Sequence, residues 1–386
     1  MPTTIPDEDF RERLQTVRER LDDTDADAAV WFDATAIEYL TGFFHIQTER
    51  PVVLAVFPDQ VAITVPRLEV ERVESTPRID GVESYFDYPQ GAPVETAAEM
   101  LASRGARAVL ADSDGAPGVM GYEGPNLSEF LEVETQSWIA AARRDKSDVE
   151  VALVRESARW ADRAHRELAD RLAPGSHPVT VGEAASRDAS QAMLDALGSE
   201  YEPRTRGAGP VTVGFISGEQ TRLPHGHTAD RELEAGGVLI TGATANVGGY
   251  RAELERTMFV GEPDAEAARY FEHMLEAQDV ALETLEPGVP LADVDAAVMS
   301  HLESVGLEDL ARHHVGHAIG LEAHEPPYID RGSDATARPG QLYTIEPGLY
   351  TAAAGYRHSD TVVVTESGTE RLTTFPRELE ANVVGQ

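Results

Sequence analysis

A mixed α/β domain followed by an α+β domain is the fold class this chain predicts, and three observations predict it. Its 386 residues exceed what one hydrophobic core usually serves, and they suit two domains. Short apolar runs alternate with helical periodicity in the first part, whereas the remainder carries long amphipathic helices and paired strands. Histidine is partitioned as well: of the twelve only His45 precedes His165, and six of the others bunch in "PHGH" and "HHVGHAIGLEAHE".

In chain order, Phe10, Leu14, Val17 and Leu21 recur at helical spacing behind an acidic first turn, predicting a helix over 7–22. "AAVWF" (28–32) reads as a strand, "ATAIEYLTG" (34–42) as a short helix stopped by glycine, and "VVLAVF" with "QVAITV" as a strand pair. "ESYFDY", a helix near 93–104 and the strand "RAVLAD" (107–112) complete this domain. The basic cluster "RRDKS" (143–147) leads into a helical pattern from Val149 to about Leu172. The boundary therefore falls at 135–146, dividing the chain into 1–140 and 141–386. Further helices are predicted at 181–197, 264–286 and 291–305, with strand pairs in "GVLITGATANVGGYRAELERTMFV" and in "GQLYTIEPGLY" plus "TVVVTESGTERLT".

Composition narrows the chemistry. Asp and Glu number 68 against 32 Lys and Arg, and Lys146 is the sole lysine. A phosphate backbone would be repelled at long range, so nucleic acid is not an expected partner. The acid is spread through periodic segments, which fits the solvated surface of a salt-adapted protein better than a disordered tail. With no cysteine, disulfides, thiolate zinc sites and cysteine nucleophiles are excluded. The start "MPTTIPDEDF" has no leader pattern and no apolar run approaches a membrane span, so a soluble cytoplasmic protein without a membrane partner is expected. The G-x-S-x-G, H-E-x-x-H and phosphate-loop signatures are missing too.

The stretch "GGYRAELERT" (248–257) reads as the return strand of a hairpin, with Glu253 and Glu255 on one face. A two-residue turn at Val247–Gly248 would pair Gly242 with Glu253 and Ile240 with Glu255, turning Thr241 and Leu254 to the other face. A lone carboxylate in a strand is most often a surface group. Glu253, Glu255 and Glu346 converging would instead raise one another's pKa and require a cation. Arg251, Arg256 or Arg357 could supply it internally.

"LPHG" (223–226), "GGYRAELERT", "GHAIGLEAHE" (316–325), "TIEPGLY" (344–350) and "GYRHSD" (355–360), in this order, resemble the pita-bread hydrolases: aminopeptidase P, prolidase, methionine aminopeptidase and the metal-free creatinase. "IEYLTGF" and its surroundings are similar to the creatinase-type amino-terminal domain, so the resemblance spans nearly the whole chain. It implies a pita-bread carboxy-terminal domain, an enzyme, and a homodimer. The family's peptidases hold two divalent metals with Asp, Asp, His, Glu and Glu. By the resemblance these fall on Gly242, Glu253, His317, Glu346 and Ser359, so two ligand positions are lost and a dinuclear centre is not expected.

Glu253, His317 and Glu346 remain as a three-ligand set for one Mn, Zn, Co or Fe ion; the alternative is no metal at all. The resemblance assigns His225 and His324 to contacts with the substrate and the developing tetrahedral centre, and Arg357 matches the arginine before the last ligand; Glu255, which departs from the family's usual Thr, and His314 join Arg357 as candidate substrate-binding residues. The leading expectation is a hydrolase that cleaves a C–N bond in a short peptide-like or cationic small molecule without a dinuclear centre, with His225, His324, Glu253 and Glu346 as catalytic residues. A single-metal Xaa-Pro aminopeptidase or dipeptidase is the alternative, and a non-catalytic binding protein on the same fold is a third reading.

Overall fold

The computed structural model describes residues 2–116, 119–205 and 209–385. Contacts divide the chain into two compact units, Ile5–Ala142 and a second that joins the residues before Ile5 to those from Arg143 onward. In the first, α1 (Asp7–Asp22), β1 (Ala28–Trp31), α2 (Ala34–Thr41), β2 (Val53–Val56), β3 (Val61–Pro66), α3 (Val70–Glu74), β4 (Gly81–Tyr85), α4 (Pro93–Ser103), β5 (Ala108–Ala111), β6 (Glu132–Thr135) and α5 (Trp138–Ala142) follow one another. The six strands form one mixed sheet in the order β4-β3-β2-β1-β5-β6. Helix α2 shows why the local sequence stops and starts where it does. The Asp33 carboxylate accepts the Thr35 and Ala36 amides, and Gly42, at φ 75°, closes the other end. Strand β6 carries the largely exposed "EVET", which has no apolar alternation for a sequence reading to find.

The second unit opens with α6 (Asp148–Ala169), started by a capping box between Ser147 and Glu150, and α7 (Pro178–Leu197). Then come β7 (Val211–Ser217), β8 (Val238–Val247), β9 (Tyr250–Val260), α8 (Ala265–Thr284), α9 (Leu291–Ser304), β10 (Gly316–Ala318), β11 (Glu325–Ile329), β12 (Leu342–Ile345), β13 (Gly348–Tyr350), β14 (Gly355–Arg357), β15 (Ser359–Thr365), β16 (Gly368–Arg371) and β17 (Val383–Val384). A curled sheet runs β11-β10-β12-β15-β9-β8-β7, with β16 on β15 and β17 beside β9; β13 and β14 form a separate ribbon. Strand β7, "VTVGFIS", is absent from the sequence reading, although Val211, Val213 and Phe215 alternate inward. Helices α8 and α9 bury Phe271, Met274 and Val298 against Phe259, Tyr343 and Ile345 of the sheet. Among the described residues no helix is long and apolar enough to cross a membrane.

The β8–β9 hairpin corrects the expected register. Its turn is Gly248–Gly249, at φ 59° and 94°, and Val247 pairs with Tyr250. Two consecutive positive φ values suit two glycines, whereas a β-branched valine resists that conformation. Gly242 consequently faces Glu255, not Glu253, and Thr244 faces Glu253. Because the shift is even, each residue keeps its face. Thr241 points to α6, where His165 Nε2 lies 2.6 Å from its hydroxyl, and Gly242, Glu253 and Glu255 point the other way.

Candidate metal and substrate centre

Strand pairing assembles the centre. Gly242, Glu255 and Ser359 form one row across β8, β9 and β15, so the two positions without a ligand flank the additional glutamate directly. One step along β9, the Glu253 amide donates to Thr361 Oγ1 (2.9 Å), and Ser359 Oγ donates to Glu253 Oε1 (2.9 Å). Glu346 leaves the end of β12 with its amide donating to the Val315 carbonyl (2.7 Å), which turns its side chain toward β10.

From β10 comes His317, fully buried. Its Nδ1 lies 3.0 Å from the Ala318 carbonyl, an acceptor, so the proton resides on Nδ1 and the Nε2 lone pair is free. That Nε2 lies 3.4 Å from Glu346 Oε1 and has no hydrogen-bond partner among the described residues. The exposed His324 stacks on it at 3.8 Å between centroids and 16° between planes. His314 sits at the edge, with Nε2 3.9 Å from Glu346 Oε1 and its ring against Tyr328. Two sets of donor atoms converge within 4.8 Å of one another, Glu253–His317–His324 and Glu253–Glu255–Glu346, and Glu253 belongs to both.

The charges on this face are unequally balanced. Glu255 is held by both arms of Arg357, at 2.5 and 2.8 Å. Arg357 also donates to Tyr350 Oη (3.0 Å) and to the Pro224 carbonyl (3.1 Å), and Tyr350 Oη in turn lies 2.9 Å from His313 Nε2. Burial opposes the charge of Arg357, but Glu255 outweighs it and holds the guanidinium protonated. Glu253 has no such partner: burial, then the charge of Glu255, pushes it up to about 7. Glu346 is raised by burial and by Glu253 and Glu255. Burial brings His317 down to about 3 and His313 to about 4, so both rings are neutral. His324 is lowered by burial and by the nearby His225.

The fold thus brings Glu253, Glu255, His317, His324, Glu346, Arg357, Gly242 and Ser359 to one face, with His314 beside them. His225 stays exposed on its loop, tied to the centre through the neighbouring Pro224 carbonyl. Sequence reasoning missed Tyr350 and His313: the Tyr350 hydroxyl accepts from Arg357 and lies beside His313 Nε2, a run of side chains that orients the guanidinium. Tyr350 lies within the quoted "TIEPGLY", and it is the β13–β14 pairing that brings its hydroxyl to Arg357.

Residues 152–366 match the profile of "Metallopeptidase family M24", and residues 13–123 that of the "Creatinase/Prolidase N-terminal domain". The chain belongs to metallopeptidase family M24. Members of M24 are hydrolases of peptide C–N bonds, and the family implies use of a divalent metal. This M24 chain is 30% identical over 321 residues to the "Probable dipeptidase PepE" of Mycobacterium tuberculosis, 82% of each being covered. It is 30% identical over 260 residues to the "Xaa-Pro dipeptidase" of Pyrococcus furiosus, covering 67% of this chain and 70% of the relative. In fold it is similar to the solved "Xaa-Pro dipeptidase from Bacillus anthracis", with a TM-score of 0.80 and 22% identity over 96% of this chain and 99% of that one.

Proposed function

We propose that this M24 protein hydrolyses a C–N bond in a short peptide-like substrate at a centre that takes one divalent ion, held by Glu253, His317 and Glu346. The observation that carries this reading is the buried His317 Nε2, deprotonated, without a hydrogen-bond partner among the described residues and facing Glu346. A neutral imidazole beside two carboxylates that no arginine or lysine contacts among the described residues is a donor set suited to Mn, Zn, Co or Fe. A pair of ions does not fit these residues. Gly242 offers no donor, and the Ser359 hydroxyl is spent on Glu253.

An ion here would polarise the scissile carbonyl and acidify a water. The protein's own groups do the rest. His324, the exposed face of the stacked pair, is placed to donate a hydrogen bond to the oxyanion, and His225 on its open loop is the group free to carry a proton to the leaving nitrogen. His314 borders the substrate side. The metal-free variant of this hydrolysis rests on His225 and His324, but its clamp for a cationic substrate loses support, because Glu255 already has its cation in Arg357.

The test is hydrolysis of a panel of Xaa-Pro dipeptides, creatine and ectoine with and without added Mn. Mn-dependent cleavage of the dipeptides that His317→Ala abolishes is the expected outcome; Mn-independent cleavage of the cationic compounds would favour the metal-free variant, and no cleavage at all the non-catalytic one. We propose further that the protein works as a cytoplasmic homodimer, as its family resemblance implies, and that its surface is salt-adapted, motivated by its net charge of −36. At molar salt the screening length falls to about 3 Å, which relieves self-repulsion. A melting temperature that does not rise from low to multimolar salt, or a monomeric mass in solution, would count against those two points.

A further inference from the structure

His324 is exposed, and among the described residues its ring makes no hydrogen bond; its ordered contact is the stack on His317. A ring pair of this kind is a weak fastening, so a side chain that must meet a developing charge needs its backbone held from elsewhere. The start of its loop is clipped by Arg251, whose amide donates to the Gly320 carbonyl (2.8 Å) and whose Nε donates to the Leu321 carbonyl (3.1 Å). The end of the loop is fastened differently.

Consecutive residues of an extended chain point to opposite sides, so as His324 turns to the centre, Glu325, the first residue of β11, turns inward. Its side chain is 3% exposed. One carboxylate oxygen accepts from Lys146 Nζ at 3.1 Å, and the other accepts from Arg143 at 2.6 Å and from the Glu322 amide at 3.2 Å. Burial opposes the Glu325 charge, but Lys146 and Arg143 outweigh it and keep the carboxylate ionised. Gly320 belongs to the same fit, because a Cβ there would lie 2.9 and 3.0 Å from the two Glu325 oxygens. The chain's sole lysine is spent at this point, its side chain 1% exposed. A compact ammonium fits where a planar fork would not.

We infer that Glu325, gripped by Lys146 and Arg143, is the positioning residue for His324: it fixes the end of the loop so that the His324 ring stays stacked on His317 and aimed at the reacting carbonyl. The catalytic part of His324 rests on the hydrolytic reading above, whereas the positioning of its ring does not, and the test separates the two.

The experiment compares the full-length wild type with Lys146→Met, which removes the ammonium, and Gly320→Ala, which leaves every charge in place and pushes the carboxylate aside. The Gly320 backbone is not left-handed, so alanine there acts through that contact alone. Two readouts are taken: the NMR shifts of the His324 ring protons before Mn is added, assigned with His324→Gln, and kcat and KM of the Mn-loaded protein on the dipeptide panel. The wild-type ring is expected to carry a ring-current shift from His317 that both variants largely lose. Their kcat is expected to fall about 100-fold with KM within about twofold, since a misplacement of about 1 Å costs that much and an oxyanion donor acts in the transition state.

Unchanged His324 shifts in the variants, with circular dichroism showing them folded, overturn the inference even if kcat falls, because the loss is then a general structural one. A displaced ring with undiminished kcat overturns it as well when His324→Gln itself lowers kcat. A wild type that cleaves nothing, or a His324→Gln variant with full kcat, sinks the hydrolytic part of His324 and leaves the ring shifts to decide the positioning. Should Lys146→Met fail to fold, Gly320→Ala decides by the same two readouts.

Discussion

The two faces of the β8–β9 hairpin present opposite solutions to buried charge. On the α6 side, Arg256 and Asp360 are both fully buried and 2.8 Å apart. Arg256 also donates to the carbonyls of Glu255, Ser359, Phe375 and Pro376, while Asp360 accepts from Gln278 and Thr373. Every charge there is matched, as a purely structural pair requires. On the opposite face, one residue away along the same strands, Arg357 cancels Glu255, but Glu253 and Glu346 face His317 with no cation. Matched charge is scaffold; unmatched buried charge, beside a free imidazole nitrogen, marks where an ion or substrate completes the structure.

The sharpest way to break the comparison is on the matched face. Asp360→Ala leaves Arg256 buried and unpaired and is expected to cost about 3–5 kcal/mol of stability, read from urea unfolding. A loss of under about 1 kcal/mol would deny that this face is structural. On the unmatched face the expected cost falls on binding instead. His317→Ala should weaken Mn affinity by at least about 100-fold while the unfolding midpoint of the ion-free protein barely moves.

The pH dependence follows from Glu253. Its folded pKa, about 7, lies above the ordinary 4.5, so the folded state holds a proton that the unfolded state releases. Its contribution to the ion-free protein is present in full below the ordinary value and is lost as pH rises through 7. Urea midpoints measured in chelator at about pH 5 and about pH 8 should fall across that interval, and Glu253→Gln should flatten the fall. An identical slope in the variant would deny that Glu253 lacks a partner. The smallest effect is expected for Ser359→Ala, which removes one hydrogen bond to Glu253 and should change Mn affinity less than about tenfold, since such a bond contributes about 1 kcal/mol. A loss as large as that of His317→Ala would make Ser359 a ligand.

Much of this was legible in the chain. Alternation and helical spacing locate α1, α2, α6, α8 and α9 to within a few residues, because each buries an apolar stripe. The face assignment of Glu253 and Glu255 survives an error in the turn, since a two-residue slip preserves side-chain direction. What the slip concealed is the row Gly242–Glu255–Ser359. Which arginine answers which carboxylate was also hidden in part. Alternation along β9 already turns Arg256 away from Glu253 and Glu255, but only the pairing of β9 with β15 lets Arg357 reach Glu255.

The central claim, that the unmatched face is completed by a single cation, is tested most directly by a metal count on protein purified in high salt and dialysed against Mn. The account gives one ion per chain, lost in His317→Ala. Two tightly held ions, or none, would contradict it.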